Sequence, residues 1–301
     1  MLTRRELLQY LAALGLAVQW PLSGQAKTVS QRLRTIPSSG EKIPAMGLGT
    51  SRTFDVGDEP MEREPIRAVL GEFVKQGGSL VDSSPMYGSA ETAIGDLAHD
   101  LRVQKQLFYA TKVWTSGREE GVAQMEQSMR RMRTKTIDLM QVHNLVDTGT
   151  HLKTLYQWKE QGRIRYIGIT HYLVDYFDDL ERVMRKHRLD FVQLPYSIVT
   201  REAEQRLLPL ARDKGIAVLV NRPYEKGALF RRVRGKSLPA WAAEFDCHSW
   251  GQFFLKFILA HPAVTCIIPA TGKVKHLVDN MAAGLGRLPD ERQRQKMVEL
   301  I

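Results

Sequence analysis

Leu80-Val81-Asp82-Ser83-Ser84-Pro85-Met86-Tyr87 is a short apolar run that stops on a carboxylate, followed by a loop that carries a phenol. Leu80–Asp82 has the length and composition of a strand covered on both faces, where the alternation of apolar and polar residues is lost. Working outward, the same signature recurs at Ala45–Gly49, Leu107–Lys112, Ile137–His143, Ile164–Thr170, Phe191–Leu194, Ile216–Val220 and Val264–Ile268. Amphipathic stretches separate these runs: Glu62–Gln76, Ser89–Leu101, Arg118–Arg133, His151–Gln161, Val174–Lys186, Ala203–Lys214, Trp250–Ala260 and Val274–Ala283. A helix between successive strands makes the strands parallel, with right-handed crossovers. Eight such units in about 250 residues predict a single-domain α/β protein, a closed (β/α)8 TIM barrel. The competing architecture, an open doubly wound sheet, needs a glycine fingerprint that opens a helix after a strand. Gly47-Leu48-Gly49 is a fragment of one, and no helical pattern starts beside it. Tyr224–Pro239 reads as a loop extension of the barrel.

Composition agrees with a large globular domain: 301 residues, 43% hydrophobic and 25% charged. The net charge of +10 raises the question of a nucleic-acid partner. The basic residues fall in short clusters: Arg130, Arg131, Arg133 and Lys135; Arg182, Arg185, Lys186 and Arg188; Arg231, Arg232, Arg234 and Lys236. They lack the interleaved aromatics of a strand-binding surface, so they read as solvated helix faces and no nucleic acid is expected. A general attraction for phosphate-bearing small molecules is the second reading. Cys247 and Cys266 have no metal-ligand spacing, so no metal is expected. Cys266 lies in an apolar run and reads as a buried thiol; a disulfide between the two stays open as an alternative.

The first residues read separately from the barrel. Arg4-Arg5 precedes Leu7, Leu8 and the apolar stretch Leu11 to Trp20, and Pro21 and Ser23-Gly24-Gln25-Ala26 follow. That is the pattern of an export signal over residues 1–27, cleaved after Ala26, ahead of a barrel domain at 28–301. Thr3-Arg4-Arg5-Glu6-Leu7-Leu8 resembles the twin-arginine motif, which implies the export machinery as a partner and a periplasmic location. A membrane anchor, an amphipathic helix and an ordinary N-terminal helix are the other readings. The apolar stretch is shorter than the ~20 residues of a membrane span. An unused signal would leave the chain cytoplasmic.

In a barrel of this kind, active sites form at the C-terminal ends of the strands. Asp82 ends the second barrel strand, Lys112 the third and His143 the fourth, and Tyr87 stands on the loop after Asp82. Ionisable groups are costly to bury unless paired, so their recurrence at one rim points to a site. Reduction of a carbonyl by hydride produces an alkoxide that needs a proton. Tyr87 is the candidate general acid, with Lys112 as the nearby cation that makes its ionisation accessible and Asp82 as the partner that holds Lys112. His143 is the candidate donor that orients the carbonyl oxygen. The structural alternative is a stabilising Asp82–Lys112 pair and a satisfied core histidine.

Asp82-Ser-Ser-Pro-Met-Tyr87-Gly88-Ser-Ala-Glu91 resembles the signature of the aldo-keto reductase family around its Asp and Tyr. Thr111-Lys112-Val113-Trp114 and Leu139-Met140-Gln141-Val142-His143-Asn144 resemble the segments that carry its Lys and His. The resemblance runs from about Ile43 to about Asn280. It implies an oxidoreductase that reduces an aldehyde or ketone with NADP(H), with NAD(H) as the lesser alternative. In the family a Ser-Asn pair and a Gln hold the nicotinamide amide; Thr170-His171 and Gln193 stand at those positions. Where many members have a stacking Tyr, this chain has Asn221, followed by Arg222 as a candidate pyrophosphate contact. Thr271, Lys273 and Asn280 resemble the adenosine-end segment at a helix N-terminus, and Lys273 suggests a 2′-phosphate partner. Trp114 is placed by the resemblance at the substrate mouth. A barrel that binds the cofactor as a redox sensor or regulatory subunit is the alternative function.

Overall fold

The computed structural model describes residues 30–301; the expected export signal lies outside the described residues. An antiparallel hairpin comes first, β1 (Leu33–Thr35) with β2 (Lys42–Pro44). The barrel strands follow: β3 (Leu48–Gly49), β4 (Leu80–Asp82), β5 (Phe108–Val113), β6 (Ile137–His143), β7 (Ile164–Thr170), β8 (Phe191–Pro195), β9 (Ala217–Asn221) and β10 (Val264–Ile267). All eight pair in parallel in chain order, and bridges from Met46 to Ile267 and Gly49 to Ala270 join the first to the last. The single-domain (β/α)8 architecture read from the sequence is the one observed.

The helices are α1 (Pro60–Lys75), α2 (Ala90–Asp100), α3 (Arg118–Arg131), α4 (Thr148–Glu160), α5 (Phe177–Lys186), α6 (Leu207–Lys214), α7 (Ala228–Arg232), α8 (Trp250–Leu259), α9 (Val274–Ala282) and α10 (Glu291–Leu300). α1 opens on Pro60, where the missing N–H costs no helical hydrogen bond. Three features differ from the sequence reading. The first barrel strand keeps only Leu48–Gly49 of the expected Ala45–Gly49. Gly49 approaches the last strand so closely that a Cβ would sit 2.6 Å from the Ile268 carbonyl oxygen. The expected loop at Tyr224–Pro239 contains the short α7. The hairpin and α10 are additions, the latter opened by a reciprocal Asp290–Gln293 capping box.

Two apolar layers hold the fold. One lies between the strands and the surrounding helices. The other fills the barrel near the N-terminal ends of the strands, with Leu80, Phe108, Leu139, Tyr166, Phe191, Leu219 and Cys266. The hairpin adds Ile36 and Ile43 to this second layer and so closes the floor. Each large side chain buried there contributes about 1.5–3 kcal/mol. The paired acid and lysine of β4 and β5 lie at the opposite, C-terminal end. Cys247 and Cys266 are buried and unpaired, and burial raises both thiols above their ordinary range. The basic clusters are partly neutralised by Arg133–Asp96 (2.7 Å), Arg182–Asp179 (2.7 Å) and Arg185–Glu181 (2.8 Å).

Candidate active site

β4, β5 and β6 are neighbours, so residues at their C-terminal ends converge on one rim. Lys112 is fully buried, and its Nζ donates to Asp82 Oδ2 at 2.6 Å and to the Ser83 carbonyl at 2.5 Å. The other carboxylate oxygen, Asp82 Oδ1, accepts from Gln141 Nε2 at 3.0 Å and Gln193 Nε2 at 2.9 Å. An ammonium has three N–H donors. Two are committed below, and Nζ lies 5.2 Å from the centroid of the Tyr87 ring, which leaves the third for the phenol. Burial opposes the lysine's charge, yet the charges of Asp82 and Tyr87 and the hydrogen bond to Asp82 outweigh it, so its pKa is raised. Lys112 therefore stays a cation.

The phenol behaves differently from the sequence expectation of a tyrosine whose ionisation is eased by its lysine. Burial raises the pKa of Tyr87, the charge of Asp82 adds to the rise, and Lys112 and Ser51 only partly offset them. Desolvation wins over the single cation because Asp82 cancels much of that cation's field. The barrel thus holds the phenol protonated, charged with the hydrogen a developing alkoxide requires.

His143 lies edge-on to Tyr87, with ring centroids 6.2 Å apart, and 6.4 Å from the indole of Trp114. Burial, with the charge of Lys112 next and that of His171 third, lowers its pKa to about 3. The imidazole is neutral and can only donate or accept a hydrogen bond. Between pH 6.5 and about 3 the unfolded histidine binds a proton that the folded one refuses, so stability falls as pH falls through that window. At pH 5 this amounts to about 2 kcal/mol. His143→Gln should therefore lose about that much less stability than the parent between pH 7 and pH 5, read from urea midpoints; equal losses would contradict the buried neutral ring.

A carboxylate-anchored lysine beneath a phenol, beside a neutral imidazole, can protonate an oxygen that receives hydride at carbon. The sequence profile of the aldo/keto reductase family matches residues 45–296, which includes every residue of this constellation. The chain belongs to the aldo/keto reductase family. It is 30% identical over 208 residues to the aldo-keto reductase YhdN of Bacillus subtilis, covering 62% of this chain and 60%, under two thirds, of that protein. It is also 30% identical over 260 residues to an uncharacterized oxidoreductase of Schizosaccharomyces pombe, covering 81% of this chain and 82% of that one. A crystal structure of an aldo/keto reductase from Klebsiella pneumoniae superposes with a TM-score of 0.75 at 21% identity, over 90% of this chain and 95% of the other, and supports the same fold.

In this aldo/keto reductase, Thr170, Gln193 and Asn221 adjoin the acid–lysine pair. Thr170 Oγ1 donates to Gln193 Oε1 at 3.1 Å, and Asn221 Nδ2 reaches the same oxygen and the His171 carbonyl, each at 3.4 Å. Asn221 Oδ1 is buried with no partner among the described residues, an acceptor beside the site. His171 does not offer an amide-like pair of atoms: its ring stacks on Tyr176 (3.8 Å between centroids) and Tyr172 (5.5 Å), and its Nδ1 accepts from the Leu173 N–H at 3.2 Å. Arg222 donates to the Tyr172 carbonyl at 2.8 Å and lies over the Tyr172 ring, with its Nε unpartnered among the described residues. Thr271 Oγ1 accepts from the Lys273 N–H at 3.2 Å, and Lys273 stands exposed at the N-terminus of α9. Asn280 is buried in α9, where its Oδ1 accepts from the Tyr224 hydroxyl at 2.6 Å. Trp114 is 41% exposed at the rim. Gln141 and Ser84 are site residues that the sequence reading left unassigned. A glutamine inside the otherwise apolar Leu139–Val142 was the available signal for the first.

Proposed function

We propose that this chain is an NADP(H)-dependent reductase of aldehydes or ketones. Tyr87 is the general acid, Lys112 and Asp82 set its surroundings, and His143 orients the carbonyl oxygen. The observation that carries the reading is the fully buried Lys112, bonded to Asp82 and set under the Tyr87 ring. A structural ion pair alone has no need of a phenol above it. Bound at this rim, reduced nicotinamide supplies the hydride. Thr170, Gln193 and Asn221 would hold its carboxamide, because the orphaned Asn221 Oδ1 needs a donor of the kind an amide N–H provides. His171 and Arg222 would wall the same side, and Thr271 and Lys273 would receive the adenosine end, with Asn280 acting from within α9. Trp114 would line the substrate mouth. The Klebsiella structure was determined in complex with NADP and acetate, which supports NADP(H) for this chain too.

The test is a panel of aldehydes and ketones offered to the purified chain with NADPH, followed by loss of dihydronicotinamide absorbance. Oxidation that requires an added carbonyl supports the reading; tight NADPH binding without turnover on any carbonyl would favour the sensor alternative. Lys273→Ala should reduce the preference for NADPH over NADH by about tenfold, since a phosphate loses one charged donor. An unchanged ratio would remove Lys273 from the cofactor site.

We also propose that residues 1–27 direct twin-arginine export to the periplasm, after the barrel folds around its cofactor in the cytoplasm. Support comes from Thr3-Arg4-Arg5-Glu6-Leu7-Leu8 and the small residues before Ala26. Fractionation of the native protein tests this, and recovery of full-length chain from the cytoplasm alone would defeat it.

A further inference from the structure

Ser84 takes no part in the chemistry described so far. It is fully buried on the loop between Asp82 and Tyr87, and its Oγ lies 3.1 Å from Nδ1 of His143. The only other partner of this hydroxyl among the described residues is the Met86 N–H, which donates to it at 3.4 Å. We propose that Ser84 fixes the tautomer of His143 by donating its proton to Nδ1, so that Nε2 carries the hydrogen. This makes Ser84 a positioning residue, and its value to catalysis rests on the carbonyl-reductase reading above.

The Ser84 oxygen accepts from the Met86 N–H, and its own buried proton needs an acceptor, for which Nδ1 is the one partner among the described residues. If Nδ1 carried the hydrogen instead, it would donate to Ser84, and the serine O–H would be left buried with nothing to accept it, an arrangement proteins avoid. A neutral imidazole has one N–H. Placing it on Nε2 leaves that nitrogen able to donate to a carbonyl oxygen, whereas the other tautomer would present a lone pair and repel that oxygen. Sequence spacing carries part of this: the serine precedes the tyrosine by three residues on the same short loop, so one turn of chain delivers both the acid and the group that orients its neighbour.

The experiment combines two readouts on the full chain. In the first, protein labelled with nitrogen-15 histidine is examined by long-range proton–nitrogen NMR, with the His143 signals identified by their loss in His143→Gln. The parent should show His143 with hydrogen on Nε2, and Ser84→Ala should show a growing share with hydrogen on Nδ1. In the second, Ser84→Ala should lower kcat by about five- to tenfold, the worth of one ordinary hydrogen bond, with KM within about twofold. Ser84→Thr, which keeps the hydroxyl, should recover most of that loss. In the residual turnover of His143→Gln, adding Ser84→Ala should change nothing further. The proposal is overturned by hydrogen on Nδ1 in the parent, by an unchanged tautomer in Ser84→Ala, or by an equal kcat loss with and without His143. A chain that reduces no carbonyl but shows the locked tautomer would overturn the proposed function and leave the Ser84 assignment intact.

Discussion

Carbonyl turnover of Tyr87→Phe is expected to fall by about 10²–10⁴-fold, the usual contribution of a positioned general acid. The ring remains, so its packing against His143 and over Lys112 is kept, and only the hydroxyl is lost. Fluorescence titration should therefore show NADPH binding close to that of the parent. The expected size follows from the electrostatics of the rim. A phenol held above its ordinary pKa by burial is a reluctant acid in the resting barrel, and it becomes an effective one as negative charge develops on the oxygen beside it. Water is a poor substitute at a site whose lysine and carboxylate are already committed to each other. A Tyr87→Phe variant within about threefold of the parent rate would mean that the proton comes from elsewhere, and with it the assignment of the acid would go.

The second large effect is on both stability and rate. Lys112→Met should cost about 3–5 kcal/mol of folding stability, because Asp82 would remain as a buried charge whose cation is gone. The amide donors of Gln141 and Gln193 would still reach one of its oxygens, but Oδ2 would lose the ammonium at 2.6 Å. Activity should disappear along with the cation above which Tyr87 sits. The double variant Lys112→Met/Asp82→Asn separates the two consequences. Removing the stranded charge should restore a large part of the stability while turnover stays absent, a non-additivity expected for residues in one network. Denaturant unfolding and kcat on the same preparations decide it. If Lys112→Met unfolds at the parent's denaturant midpoint, the pair is not the buried, mutually dependent unit described above.

The parts of this molecule that were legible in the sequence are those where one strong signal acts alone. Ile137–His143 and Ile164–Thr170 are legible with their observed ends, since each is a mainly aliphatic run, broken only by single residues such as Asp138, Gln141 and Arg165, between polar segments. Asp82, Lys112 and His143 are legible because an ionisable group at the end of an apolar run is expensive and thus informative, and Tyr87 through its spacing from Asp82 in the family-like segment. The hairpin escapes because Leu33–Thr35 and Lys42–Pro44 each hold a single aliphatic residue, too little pattern to rise above the polar segment around them. α10 was within reach: Asp290 and Gln293 are spaced as a capping box, a signal that did not need tertiary information. Other features depend on competition between forces that a linear reading cannot weigh. The upward shift of Tyr87 is decided by burial and by the second charge of Asp82, and both are consequences of the assembled rim. The hydrogen bond that the Tyr224 hydroxyl donates to Asn280 likewise comes from a residue 56 positions away.

The sealed floor has a practical corollary for anything joined to the chain ahead of Ser30. Gln31 bonds to the Met281 carbonyl at 3.0 Å and the Arg32 N–H to that of Gly284 at 3.1 Å, so the polypeptide enters the barrel at the foot of α9, below the hairpin. A reporter or surface tether attached there departs from the blind end of the vessel. Immobilised by that tail, the enzyme would stand with its opening turned outward, free to meet reactants from solution.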